Sequence, residues 1–134
     1  MNILIQKMMS IEQRVSFEKG EFSLFALFLR EDAEDKWDIV VSASWLEKNK
    51  KKGIEYLAKQ LKESLEQEEL LSISRIVLIE EGNLALDTIH RVIMTEHSSV
   101  EIKDSNFFGL QIKHAYIITS KKRNEIGNVR TVSL

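Results

Sequence analysis

Apolar and polar positions follow two different periods in the first third of this chain. Apolar side chains recur every three or four residues at Leu4, Met8, Ile11 and Val15. This spacing predicts a helix over residues 1–18, which Gly20 ends. In residues 21–30 both alternating sets are apolar, which predicts a strand covered on both faces. Residues 36–43 alternate with one apolar side, so the two strands are predicted to form a hairpin.

A helical pattern follows this hairpin. Ser44 and Glu47 have the spacing of a capping box, in which each side chain binds a free backbone N–H of the first turn. The apolar stripe behind it lies at Ile54, Leu57, Ala58, Leu61 and Leu65. Gly53 interrupts the pattern, so two interpretations stay open. Either one helix starts at Ser44, or residues 45–50 form a separate turn and the helix starts near Lys51.

The second half of the chain returns to short apolar runs. These runs predict a helical turn at 68–71, a strand at 74–80, a helix ending near residue 96, and strands at 100–103 and 110–120. Asn83 is predicted to cap the helix, whose buried face includes His90. Residues 104–106 are predicted to join the last two strands, with a bulge at 107–109.

The resulting order is α-β-β-α-β-α-β-β, which predicts an α+β fold. We expect a single mixed sheet of about five strands with three helices packed on it. Residues 1–120 are predicted to form one domain. Residues 121–134 carry little patterning and are predicted to be a flexible C-terminal tail.

Composition narrows the functional classes. The chain has 134 residues, a formal net charge of −2 and no cysteine. Without cysteine there are no disulfides, zinc–thiolate sites or thiol nucleophiles, and a reducing cytoplasm is the predicted location. With so small a net charge, the protein as a whole does not attract nucleic acid electrostatically. No apolar run approaches about 18 residues, so no membrane span is predicted.

One combination of residues suggests catalysis. Asp38 and the segment Glu101-Ile102-Lys103 resemble, in residue types, the acidic residue and Glu-x-Lys arrangement of the PD-(D/E)xK nucleases. The resemblance implies that Asp38 and Glu101 hold a metal, Mg²⁺ or Mn²⁺, while Lys103 orients the attacking water. The alternative is that these charges face solvent along ordinary strands. This metal-dependent nuclease is our alternative hypothesis for function.

His114 is the other candidate catalytic residue. Its strand position has the same parity as Ile112, Tyr116 and Ile118, so the ring is predicted to face the same side as core residues. Imidazole titrates near neutral pH, which suits a general base or a metal ligand. The simpler interpretation is a hydrogen-bonded histidine at the sheet margin.

Two basic clusters could contact phosphates. Their members are Lys48, Lys50, Lys51, Lys52, Lys121, Lys122 and Arg123. Lysine and arginine release counterions when they neutralise nucleic-acid phosphates, so a nucleic-acid partner is one hypothesis. The simpler hypothesis is that these basic side chains are solvated charges at a helix start and at the end of the chain.

The leading hypothesis is a non-catalytic interaction or accessory module. Phe107 and Phe108 lie at a turn, where an exposed ring often marks a partner surface. A free strand edge would also allow a homodimer. A third hypothesis is a small-molecule sensor with a pocket beside the helix containing Trp45, lined by Trp37, Tyr56, Tyr116 and His114.

Overall fold

A computed structural model describes residues 2–32 and 35–123. In these ranges the chain forms one five-stranded mixed sheet with helices on both faces. The elements are α1 (Asn2–Lys19), β1 (Leu24–Arg30), β2 (Trp37–Ser42), α2 (Ser44–Lys48), α3 (Lys50–Ser64), α4 (Gln67–Leu71), β3 (Ile73–Leu78), α5 (Leu84–Val92), β4 (Val100–Phe107) and β5 (Leu110–Ser120). The predicted α+β class and order of elements are confirmed. Within the described residues, no helix is both long and apolar enough to cross a bilayer.

The strands lie in the order β3-β2-β1-β5-β4. Strands β2 and β3 are parallel, because the helices between them carry the chain back across the sheet. The other neighbours are antiparallel, including the predicted β1–β2 hairpin. Strand β1 is central and its residues from Leu24 to Phe28 are buried, as the double apolar pattern predicted.

Each face of the sheet has its own apolar core. The first core packs α1 and α3 against the sheet and includes Met8, Ile11, Val15, Phe25, Leu27, Ile39, Val41, Leu57, Leu61 and Ile118. The second lies under α5 and includes Leu24, Ala26, Phe28, Val40, Leu86, Ile89, Ile112, Ala115 and Ile117. The predicted stripe of α1 is therefore buried, and α5 is the one helix of the described ranges that packs on the second core.

The segment 44–64 forms two helices, so the interpretation with a break is confirmed. Ser44 is the first residue of α2 and caps nothing; the N-cap is Ala43, without a side-chain hydrogen bond. The predicted capping box is wrong because Glu47 Oε2 instead accepts the backbone N–H of Glu81 at 2.5 Å. Gly53 is a packing site. A Cβ there would lie 2.5 Å from Leu46 Cδ2, so α2 rests directly on the α3 backbone.

The last hairpin differs from its prediction. Strand β4 continues through 104–106 to Phe107, and the turn is Phe108-Gly109. Asp104 has φ +51 inside β4, and the pairing of β5 with β1 skips Lys113 between the partners of Leu29 and Arg30. These irregularities reverse the alternation of side chains. Ile112 therefore lies in the second core, on the face opposite His114, and the predicted shared parity is wrong for Ile112.

We expect Leu61→Ala to lower the free energy of unfolding by about 2–5 kcal/mol, the usual range for emptying a buried leucine site. Leu61 is 5% exposed and lies in the first core. Lys59→Ala, at an exposed position of the same helix, is the control and should change stability by less than about 0.5 kcal/mol. Urea unfolding of both variants checks this. Equal stability of the two variants would mean that this face of α3 does not pack as described.

Candidate functional site

Three of the four predicted catalytic residues lie together on the face that carries the first core. Glu101 pairs with Tyr116 and Lys103 pairs with His114 across β4 and β5. Glu101 Oε2 accepts a hydrogen bond from His114 Nε2 at 2.5 Å and a long one from the Tyr116 hydroxyl at 3.5 Å. Burial, and then the nearby Glu101 carboxylate, raises the pKa of Tyr116. Glu101 and His114 are therefore hydrogen-bonded to each other within the protein.

The His114 ring is also packed against aromatic neighbours. Its centroid lies 5.7 Å from that of Trp37 and 4.7 Å from that of Tyr116. Trp37 is 5% exposed. The arrangement is that of a hydrogen-bonded histidine at the sheet margin. Tyr56, the other residue of the predicted sensor pocket, lies apart from this cluster and packs on Trp45 with centroids 6.2 Å apart.

Asp38 lies on the opposite face of the sheet. It is 2% exposed, stands opposite Phe28 and shares its parity with Val40 of the second core. Its Oδ2 accepts hydrogen bonds from Arg30 Nε at 2.8 Å and Arg75 Nη2 at 3.2 Å. The hydrogen bond to Asp38 raises the pKa of Arg30. The sheet therefore separates Asp38 from Glu101, and the two carboxylates do not converge on one metal.

The basic clusters meet acidic side chains. Lys50 Nζ lies 2.6 Å from Glu80 Oε2, at the start of α3. After β5, Glu96 binds Lys121 Nζ at 3.2 Å and Arg123 Nη2 at 2.7 Å. The hydrogen bond from Arg123 lowers the pKa of Glu96 to about 2. Part of each cluster is thus neutralised internally, and a nucleic-acid partner stays a prediction.

A candidate metal-ligand group lies beside Arg123. Glu21, Glu96 and His97 each place one ligand atom within 4.8 Å of the others. Arg123 Nη2 also lies 3.2 Å from Glu21 Oε1, so one guanidinium contacts both carboxylates. Arg123 supplies the positive charge that two neighbouring carboxylates require. Residues 124–134 of the predicted tail lie outside the described ranges.

A buried polar network joins α1 to the end of β5. Glu12 is fully buried and accepts hydrogen bonds from His97 Nδ1 at 2.7 Å, Thr119 Oγ1 at 2.8 Å and Ser16 Oγ at 3.2 Å. Sequence reasoning missed it. The available signal was the position of Glu12, four residues after Met8 on the apolar face of α1.

An apolar groove runs between α5 and the β4–β5 hairpin. It encloses about 490 Å³ and is lined by Ala85, Thr88, Ile89, Val92, Ile93, Ile102, Ser105, Asn106, Phe107 and Phe108. The hairpin closes one side because the Phe107 ring stacks on Phe28 of β1, with centroids 5.1 Å apart. Val92 is 76% exposed at the rim. Such a concave apolar surface with a few polar groups is typical of a binding site.

Phe108 forms part of the groove at a conformational cost. Phe108 has φ +56 and Gly109 has φ +76. Positive φ at both central residues is the pattern of a type I′ hairpin turn, where Asn-Gly and Asp-Gly are preferred. A side chain with a Cβ costs roughly 1–2 kcal/mol in this region. Phe108 occupies this turn position despite that cost. Backbone strain of this kind is found most often at binding and catalytic sites.

Strand β4 completes the site because it is an edge of the sheet. It pairs with β5 on one side, and no strand within the described ranges pairs with the other. We name the apolar groove and the outer side of β4 together the β4 surface. Sequence reasoning identified the turn phenylalanines as a partner surface but missed α5. The missed signal is a second stripe on that helix, Leu84, Thr88 and Val92, at four-residue spacing.

Comparisons of this chain with protein-family models, with curated proteins and with solved structures found no match. Its function therefore has to be inferred from the geometry of the β4 surface.

Proposed function

We propose that this chain is a non-catalytic interaction module that binds an extended segment of a partner protein along β4. The observation that carries the proposal is the apolar groove beside an edge strand. Unpaired backbone N–H and C=O groups of an edge strand accept a further strand. The groove on one face then accepts alternate side chains of that strand. In strand addition the backbone hydrogen bonds supply affinity, and the side-chain pockets supply specificity.

The positions of the predicted catalytic residues also favour this function over the nuclease. Asp38 is buried between two arginines on one face, whereas Glu101 binds His114 on the other. A two-carboxylate metal site requires both groups on the same side. The cytoplasmic location expected of a cysteine-free chain stays a prediction.

Nitrogen-15 NMR tests the proposal with a panel of capped peptides that alternate apolar and polar residues. We expect binding peptides to shift the amide signals of β4 and of the groove side of α5. Val92→Arg should weaken this binding by at least about tenfold, because it places a charge at an apolar groove. Val92 is 76% exposed, so the substitution should leave stability nearly unchanged.

Leu71→Arg is the matched control, since Leu71 is 65% exposed and lies on α4, away from the groove. It should bind the peptides as the unmodified protein does. The proposal is contradicted if no peptide of the panel shifts β4, or if both arginine variants lose binding equally.

A small apolar ligand is the second candidate, because the groove volume of about 490 Å³ lies in the range typical of ligand sites. This candidate ligand site lies on the face of the sheet opposite the predicted sensor pocket beside Trp37. Hydrogen exchange of the protein with its ligand bound discriminates the two. A small ligand would perturb groove methyl groups without protecting the outer amides of β4 from hydrogen exchange, whereas an added strand would protect them.

A further inference from the structure

The outer edge of β4 has a charge pattern that complements itself. Val100 to Lys103 pair regularly with Ile117 to His114 of β5. Within this stretch Glu101 and Lys103 lie on one face and Ile102 lies on the other, beside the groove. Lys103 makes no ion pair with the described residues. Glu101 Oε2 binds His114, but the Glu101 side chain is still 46% exposed, so a second copy can reach the carboxylate. One edge strand therefore carries two opposite charges, two residues apart, on the same side.

Antiparallel pairing of two such edges allows few registers. Residues directly opposite each other share a face, and opposite charges at such positions attract while like charges repel. A two-fold axis at Ile102 places Glu101 of each copy opposite Lys103 of the other. An axis at Glu101 or at Lys103 places a charge opposite its own copy. Only the register centred on Ile102 therefore gives two favourable pairs.

The opposite face of β4 suits the same register. An axis at Ile102 brings the two Ile102 side chains together and sets the two grooves side by side. Val92, which is 76% exposed at the groove rim, would then be covered. The other sheet edge, β3, lacks these features. It has one charged residue, Arg75, and so carries no pair of opposite charges that could match a second copy.

We propose that the segment bound by the β4 surface is β4 of a second copy of this chain, paired antiparallel about a two-fold axis at Ile102. This inference rests on the proposed function, because it names the partner of the same surface. The pairing joins two five-stranded sheets into one continuous sheet and removes both exposed β4 edges. It is an isologous interface, in which both copies use the same surface and every contact away from the axis occurs twice.

Charge exchange tests the register. Sedimentation of the unmodified protein should show a dimer that dissociates on dilution. Lys103→Glu and Glu101→Lys should each raise the dimer dissociation constant by at least about tenfold, because each variant creates two like-charge pairs. An equimolar mixture of the two variants should form a heterodimer, because every opposed pair is again of opposite charge. Circular dichroism melts of each variant confirm that it is folded before mixing.

A single cysteine gives an independent check that leaves the charges intact. The chain has no cysteine, so Ile102→Cys introduces one thiol. Directly opposed residues of antiparallel strands have Cα atoms about 4.5–5.5 Å apart, which a disulfide spans. Mild oxidation should link Ile102→Cys faster than Phe17→Cys, placed at a 93% exposed site on α1.

A protein that stays monomeric at high micromolar concentration would overturn the inference. A dimer that the charge variants do not weaken, or that links equally at both cysteines, would overturn it too. These results do not bear on the proposed function, which fails if no extended peptide binds β4 or if Val92→Arg and Leu71→Arg lose peptide binding equally. Peptide binding by a monomer would keep the function and reject the second copy as partner.

Discussion

Replacing Glu12 with alanine is expected to lower the free energy of unfolding by about 3–5 kcal/mol, because each buried hydrogen-bond donor left without its acceptor costs about 1–3 kcal/mol. Glu12 is fully buried and accepts three side-chain hydrogen bonds, from His97, Thr119 and Ser16. Alanine would leave these donors without an acceptor and would open a void under α1. Urea unfolding at neutral pH, with midpoint and slope compared to the unmodified protein, measures the loss.

Two further variants show whether the network causes the effect. Gln13→Ala removes a neighbouring exposed side chain from the same helix and should change stability by less than about 0.5 kcal/mol. Glu12→Gln keeps the size and one oxygen acceptor, so it should lose less stability than alanine. A Glu12→Ala variant as stable as Gln13→Ala would show that the network does not hold α1 to β5.

Replacing Phe28 with alanine is expected to cost about 3–5 kcal/mol of folding stability, as for other buried phenylalanines. Phe28 is 2% exposed in the second core, and the Phe107 ring stacks on it. Phe28→Ala should therefore also loosen the β4–β5 hairpin, which lies far from Phe28 in the sequence. Without Phe28 the hairpin tip loses its support, so amides of residues 105–110 should exchange hydrogen faster relative to the rest of the sheet.

Phe17→Ala is the matched control, because it is the same chemical change at a residue that is 93% exposed. It should alter stability by less than about 0.5 kcal/mol and leave exchange at the hairpin unchanged. If Phe28→Ala is destabilising but exchange at 105–110 does not change, the hairpin tip is held by other contacts than the Phe28 stack.

The parts of the fold that sequence predicted are those with a strong local period. The stripe of α1 and the double apolar pattern of β1 each signal burial within about ten residues, and both are buried as expected. The capping box at Ser44 failed because a distant backbone group, the N–H of Glu81, takes the Glu47 side chain. The parity of Ile112 failed because β5 is irregular at Lys113, which the pairing with β1 skips between His114 and Ile112.

The candidate site was predictable only in fragments. The two phenylalanines at the turn were recognised, since an aromatic next to glycine is visible in the sequence. The groove was not, because it forms between α5 and a hairpin that follows it in the chain. Likewise, Asp38 and Glu101 are both acidic residues on strands, and no local pattern states which face of the sheet each occupies.

The sequence by itself determined the elements, their order and most of the buried positions, because each of these depends on side-chain periodicity within one segment. The tertiary structure decided which distant groups meet. Glu12 and His97 are 85 residues apart, and β4 became an edge only through the strand order. Such contacts depend on how the sheet is assembled and where it bends, and they follow from the packing of the whole chain rather than from any one stretch of it.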